Sequence, residues 1–336
     1  MKAQIDASLS PRNEQDASVS RAEIEAEPIA GFLFERNESL PSAVKRIALE
    51  QIDLALCYLD GFNGDLNHSV HATRQSLKRL RALVALVRYE LGEEVFKREW
   101  NCFRRAGRLL AGVRDAAVVV DAFDSLIKHF SSELNSDAFN EERAVLVERR
   151  TTRLNTSIEN NGIFEQAREL LTSARQRVPS WPLTRTKFSA LRRGLRRSYR
   201  NGRLGLSSVR KHPCPTNFHV WRRPVKLLWH QLQILTRLWP AMLQAQSNEL
   251  HDLSNWLNEN HDLDLLRNVV LESTTVFHSG DRELLVSLIE RRCRELEAAA
   301  LPLGLRLYSE SPDQFAKRIR GYWRAWKSDQ TDQKVL

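Results

Sequence analysis

Acidic residues are missing from one long stretch of this chain: after Glu169 there is no aspartate or glutamate until Glu249. The same window, residues 170–248, holds 16 lysines and arginines, so the net charge of +9 is segregated rather than spread. An ordinary solvated face interleaves both signs. A one-signed stretch instead builds a local potential that concentrates anions, and a polyanionic partner is expected. Cysteine is scarce. Cys57, Cys102, Cys214 and Cys293 never fall in CxxC spacing, which points away from both a zinc site and a disulfide framework. No apolar run approaches the roughly 18–20 residues of a membrane span; AAVVV (116–120) is among the longest. The opening MKAQIDASLSPRNEQDASVSRAEIEAEPIAG lacks the hydrophobic core of a secretory leader, so a cytoplasmic setting is expected. Glycine and proline are few, 13 and 11 in 336 residues, and Leu/Arg/Ala/Glu-rich stretches dominate, which favours helix.

What is present is helical periodicity. Apolar residues recur at i, i+3, i+4 and i+7 almost throughout, and strand-like alternation hardly appears. The expected helices are 41–60, 66–91, 93–110, 113–131, 138–159, 161–177, 186–204, 216–238, 241–258, 261–277, 281–299 and 312–328. Turn formers separate them at DGFNGD, VPSWP, SSVRKHPCP and FHSGD. The fold class is all-α. Residues 1–36 read as a flexible polar tail, 37–182 as a first helical bundle and 183–330 as a second.

An internal repeat supports that division. SVHATRQSLKRLRALVALVR (69–88) aligns with NFHVWRRPVKLLWHQLQILTR (217–237) at an offset of 148, matching His71 with His219, Arg74 with Arg222 and Lys78 with Lys226. The same offset carries Leu77, Leu80, Val84 and Val87 onto Val225, Leu228, Leu232 and Leu235. Asp115 in GVRDAAVV matches Asp262 in ENHDLDLL at an offset of 147. Two antiparallel helical bundles related by a pseudo-twofold axis would explain both. At 100° per residue, Arg74, Lys78 and Arg81 fall within roughly 80° of His71 on one side of the helix, opposite the leucine and valine stripe. Each helix would bury its apolar stripe in its own bundle and turn the basic one toward a shared groove. Arginine suits such a groove because its planar fork binds phosphate oxygens bidentately. The helix KFSALRRGLRRSYRNGRLGL (187–206) would extend the track through Arg192, Arg196, Arg200 and Arg203.

The H-x-x-R-x-x-x-K-R-x-R pattern of 71–81, its second copy from His219 and the (R/H)-D turns at Arg114 and His261 resemble the CHAD family, the conserved histidine α-helical domain. The resemblance spans about residues 35–330 and occurs twice in the right order. It implies paired helical bundles, a basic central surface and binding of inorganic polyphosphate, in some members with association to storage granules. By position its motif residues are His71, Arg74, Lys78, Arg79 and Arg81, then His219, Arg222, Arg223 and Lys226, with Arg114 at the first turn. Trp229 departs from the pattern, standing where the second copy ordinarily has an arginine. The strand-rich triphosphate-tunnel domain often fused to this family has no counterpart here, so no enzymatic activity, cofactor or metal is expected.

Two other readings compete. Nucleic acid would meet the same electrostatic surface, although no known DNA- or RNA-binding motif is present and Trp181, Trp221, Trp229 and Trp239 read as packing residues. A metal-dependent hydrolase would use His251-Asp252 and His261-Asp262 as ligands. Adjacent helical residues diverge by about 100°, so such pairs do not converge by themselves. Asp115 and Asp262 are expected near helix N-termini, where the macrodipole favours them.

Overall fold

The computed structural model describes residues 31–60, 66–135, 138–159, 162–272 and 279–328, with side chains 113–117, 153–159 and 279 outside the description. Among the described residues the chain is all-α. The helices are α1 (Leu40–Asp60), α2 (Leu66–Leu86), α3 (Arg88–Leu109), α4 (Ala111–His129), α5 (Asn140–Glu159), α6 (Gly162–Arg177), α7 (Ser189–Lys211), α8 (Pro215–Leu235), α9 (Pro240–Glu272), α10 (Ser279–Leu307) and α11 (Pro312–Ser328). Short 3₁₀ turns follow α6 and α8.

Several boundaries move from their expected places, each for a local reason. The break read near 259 is absent, and α9 runs unbroken for 33 residues. Its asparagines do not cap a new helix: Asn258 Oδ1 accepts from Arg222 Nη1 at 2.9 Å, and Asn260 Nδ2 donates to Glu297 Oε1 at 3.3 Å. Asp262 accordingly sits mid-helix, and the N-terminal macrodipole role expected for it does not apply. Helix α7 continues through Ser208, whose hydroxyl donates back to Leu204 O at 3.1 Å. Helix α10 runs past Pro302 because Ala300, Leu303 and Leu307 are buried there.

The tail also ends earlier than its expected boundary at 36. Phe32 and Phe34 are buried, Phe34 N donates to Ile234 O at 3.2 Å, and Arg46 donates to Gly31 O and Leu33 O. The apolar FLF of residues 32–34 outweighs its polar surroundings.

Two hydrophobic cores form, and neither follows the sequence halves. The first joins α1, α2, α3 and α6 to α7, α8, α11, the N-terminal half of α9 and the C-terminal end of α10. The second joins α4 and α5 to Leu263, Leu266 and Val270 of α9 and to Leu285, Leu288, Ile289 and Leu296 of α10. Helices α2 and α8, carriers of the repeat, lie against each other, with Gln231 Nε2 donating to Ala82 O at 3.1 Å. Their apolar stripes therefore merge into one core instead of filling two separate bundles.

Close crossings fix this arrangement. A Cβ on Gly194 of α7 would lie 2.0 Å from Leu86 O at the end of α2. Trp221, fully buried on α8, fills the space between Gly205 of α7 and Gly304 of α10, whose Cβ atoms would approach its ring to 2.4 and 2.6 Å. The wedge holds α8 in register just before Arg222.

Candidate functional site

Six helices enclose a cleft of about 970 Å³. Its cationic lining comes from Arg74, Lys78 and Arg81 of α2, Arg104 and Arg108 of α3, and Arg222, Arg223 and Lys226 of α8. Asp262 of α9 is the one acid among the described lining residues. The two copies of the basic stripe thus face one space. His71 lines it as well, while His219 stands behind it, bonded to His261.

The arginines of this cleft differ from those elsewhere in the molecule. Outside it, many guanidinium groups meet carboxylates, as in Arg46 with Glu38, Arg177 with Glu99, Arg292 with Glu259 and Arg318 with Glu310, while Arg193 and Arg197 of α7 meet Tyr89 instead. Inside it, Arg81, Arg104, Arg108, Arg222 and Arg223 form no ion pair with a described carboxylate. Arg74 Nη1 donates to Gly107 O at 2.5 Å, which splays its fork against the end of α3. Arg81 lies over the Trp100 ring at 5.7 Å, and its Nε is buried without a hydrogen-bond partner, as is Nε of Arg222. Burial and then the charges of Arg74, Arg104, Arg223 and Arg222 push Arg81 down to about 10. It stays charged at neutral pH, in surroundings that disfavour the charge. Arg222 is lowered by burial too, partly offset by Asp262. A site whose described lining gathers eight cationic side chains around one carboxylate is arranged for an anion that arrives from solution.

Histidines line one side. His219 and His261 approach Nδ1 to Nδ1 at 2.9 Å, and Arg223 Nη2 donates to His219 Nε2 at 3.2 Å. Burial first, then Arg222 and Arg223, hold His219 below its ordinary value of 6.5 and bring His261 down to about 3. His230 is buried at the cleft floor, with Nδ1 on Gln233 Oε1 at 2.9 Å. Burial keeps it well below the usual histidine range.

Other residues expected at the site lie elsewhere. Arg79 is buried, with its guanidinium 5.6 Å from the Phe32 ring centroid, because it falls on the core side of α2. Arg192 and Arg196 meet Asp313 of α11, Arg203 Nη1 donates to Glu310 O at 2.9 Å, and Arg200 is exposed away from the cleft. Helix α7 instead turns Asn201, Leu204, Gly205 and Ser208 to the cleft, so its arginine face does not extend the track as expected. Arg114 lies among the side chains outside the description. Trp229 is core, stacked between His230 at 4.5 Å and His251 at 4.6 Å. Trp181 and Trp221 are also buried, whereas Trp239 is 47% exposed, against the expectation of packing. The cleft residues missed in sequence are Arg104 and Arg108, and His261, read there as a turn or metal-ligand residue, joins them in the lining. A second acid-free stretch, residues 100–114 with Arg104, Arg105, Arg108 and Arg114, is the signal that marks α3.

The described residues contain no group of three or more His, Cys, Asp or Glu side chains placed to hold a metal. His251 packs on Trp229 while Asp252 is exposed, so that pair diverges. No helix among the described residues is long and apolar enough to cross a membrane.

Comparison with known proteins bears on the same helices. The CHAD domain family model matches residues 46–271, which include α2, α8, most of α9 and the whole cleft. The chain belongs to the CHAD domain family. Among solved structures, this CHAD protein is similar to PptA from Streptomyces chartreusis, with a TM-score of 0.58, 14% sequence identity and coverage of 81% of this chain and 100% of that one. At that identity the likeness concerns the fold. No curated protein matches the sequence.

Proposed function

We propose that this CHAD protein is a non-enzymatic binder of inorganic polyphosphate, which it takes up in the six-helix cleft. The observation that carries the reading is the group of five arginines, Arg81, Arg104, Arg108, Arg222 and Arg223, gathered with no ion pair to a described carboxylate. Guanidinium forks spaced along a trough suit a ligand that repeats its anionic oxygens, and the family resemblance implies polyphosphate as that ligand. Arg74, Lys78 and Lys226 complete the cationic wall, with His71 as a hydrogen-bond partner. Association with polyphosphate granules would follow from the same contacts.

Nucleic acid would satisfy the charges but not the walls. Of the four tryptophans in the basic half, only Trp239 is exposed, and it packs edge-on against Tyr322, outside the cleft lining. In the described lining Trp100 is half-buried with the Arg81 guanidinium over its ring and Phe103 is fully buried, so little aromatic face is left for base stacking. Competition of long-chain polyphosphate against DNA and RNA of matched charge, at several salt concentrations, tests the proposal. Polyphosphate is expected to win at every salt concentration; equal displacement by nucleic acid would overturn the reading.

A further inference from the structure

The contacts among Arg223, His219 and His261 define where the protons sit. A guanidinium only donates, so His219 Nε2, 3.2 Å from Arg223 Nη2, must be the acceptor. Neutral His219 then carries its proton on Nδ1. Two bare nitrogens would repel at 2.9 Å and two N–H groups would clash, so His219 Nδ1–H donates to His261 Nδ1. The proton of His261 is left on Nε2, which makes no hydrogen bond to a described residue, on a side chain that lines the cleft. The chain of donors thus begins at Arg223, a lining residue with one donor, Nη2, spent on His219, and ends on an N–H available to the cleft.

We propose that capture of a phosphate chain in this cleft takes up one proton at His219 Nε2, which breaks the Arg223–His219 bond and releases Arg223 to the ligand. The inference rests on the polyphosphate reading and adds a regulatory device to that site. The balance is simple. One proton moves from solvent to Nε2, the acceptor of Arg223 disappears, and Nδ1–H keeps its bond to His261. Proton uptake and arginine release are the same event, because Nε2 cannot hold a proton and accept from a guanidinium at once. His261 Nε2–H and the freed fork then both point donors at an acceptor-only ligand, as ionised phosphate oxygens are.

The surroundings set the direction of the coupling. On α8 the facing charges are Arg222 and Arg223; on α9 they are Asp262 and Asp264, of which Asp264 favours protonation of His219. Across the cleft stand Arg74 and His71 of α2 and Arg104 and Arg108 of α3, while Glu297 and Cys293 of α10 lie behind α9 beside Asp264. The facing side chains 113–117 of α4 are outside the description, and α7 offers only uncharged Asn201 and Ser208 to the lining. Burial and the two arginines Arg222 and Arg223 favour the neutral form of both imidazoles. An anion reverses the local potential and favours the charged form, and by linkage protons then favour the anion.

Calorimetric titration of the full chain with long-chain polyphosphate tests this, at pH 6, 7 and 8 in buffers of differing ionisation enthalpy. Long chains keep the titrating terminal phosphates a small fraction of the ligand. Affinity should rise as pH falls, by at most about tenfold per unit for one proton, with net proton uptake on binding. His219→Asn retains a donor near the Nδ1 position but lacks Nε2, so its affinity should be pH-independent and at pH 8 no weaker than wild type. Proton uptake near zero in the wild type, or a wild-type pH slope in His219→Asn, would overturn the coupling. Either result with binding intact leaves the polyphosphate reading standing; absence of binding at every pH removes both.

Discussion

At the scale of single residues, the unpaired arginines trade stability for binding. Arg222 keeps Nε buried without a partner, and burial disfavours its charge despite the attraction of Asp262, with Arg223 and Arg74 adding to the cost. Replacing it by methionine retains most of the aliphatic bulk and removes a charge that burial disfavours. Arg222→Met is expected to stabilise the ligand-free protein by about 1 kcal/mol and to weaken polyphosphate binding at least tenfold. Thermal melting and titration read the two effects separately, and a loss of stability would contradict the burial argument. The imidazole pair gives a pH dependence of opposite sign in the empty protein. Folded His261 titrates near 3, whereas an unfolded histidine titrates near 6.5. Between those values the unfolded chain binds the extra proton, so stability falls as pH drops below 6.5. Denaturant midpoints at pH 7, 6 and 5 should show this decline, and His261→Asn should flatten it.

At the scale of helices, two crossings dominate. A methyl group on Gly194 would gain up to about 1 kcal/mol in helix propensity. Its Cβ, however, would sit 2.0 Å from a backbone oxygen of α2 that cannot swing aside. Overpacking of this kind costs about 1–3 kcal/mol or more, so Gly194→Ala is expected to lower the unfolding midpoint despite the better helix former. The helices themselves were largely legible in sequence because a 3.6-residue apolar period survives wherever one face is buried. Most of the misplaced boundaries have a common cause. Asn258, Asn260 and Pro302 are end signals by local chemistry that tertiary packing overrides, and Ser208 is satisfied within its own helix by Leu204 O. The stripe on α2 and α8 was legible for the same reason as the helices, since charge spacing fixes a face. Arg79 shows the limit: one position along the motif, it turns from the cleft to the core. Neither the antiparallel return of α3, which supplies Arg104 and Arg108, nor the meeting of His219 with His261 across 42 residues has a local signature.

At the scale of the whole molecule, charge segregation in sequence becomes a distinction between compensated and uncompensated cations. Only the second kind should govern binding. If each cationic contact displaces condensed counterions as on a single-stranded nucleic acid, log K falls with log salt at about −0.7 per contact. Arg74→Ala with Arg222→Ala should therefore flatten the slope by about 1.4, besides abolishing tight binding at physiological salt. Arg192→Ala with Arg196→Ala, which touches only the pairs to Asp313 on α7's outer face, should leave slope and affinity nearly unchanged. Affinities measured at four or more salt concentrations separate these cases, and equal slopes for both pairs would remove the distinction.

Helix α9 gives its first half to one core and its second half to the other, and Trp256 near its middle touches both. Cutting the gene at the repeat boundary would thus yield two polypeptides, each with half of a hydrophobic seam open to water. Neither fragment should persist as a soluble monomer, yet the two coexpressed should reassemble around that shared axle. What reads as a doubled sequence behaves, on this packing, as one indivisible unit.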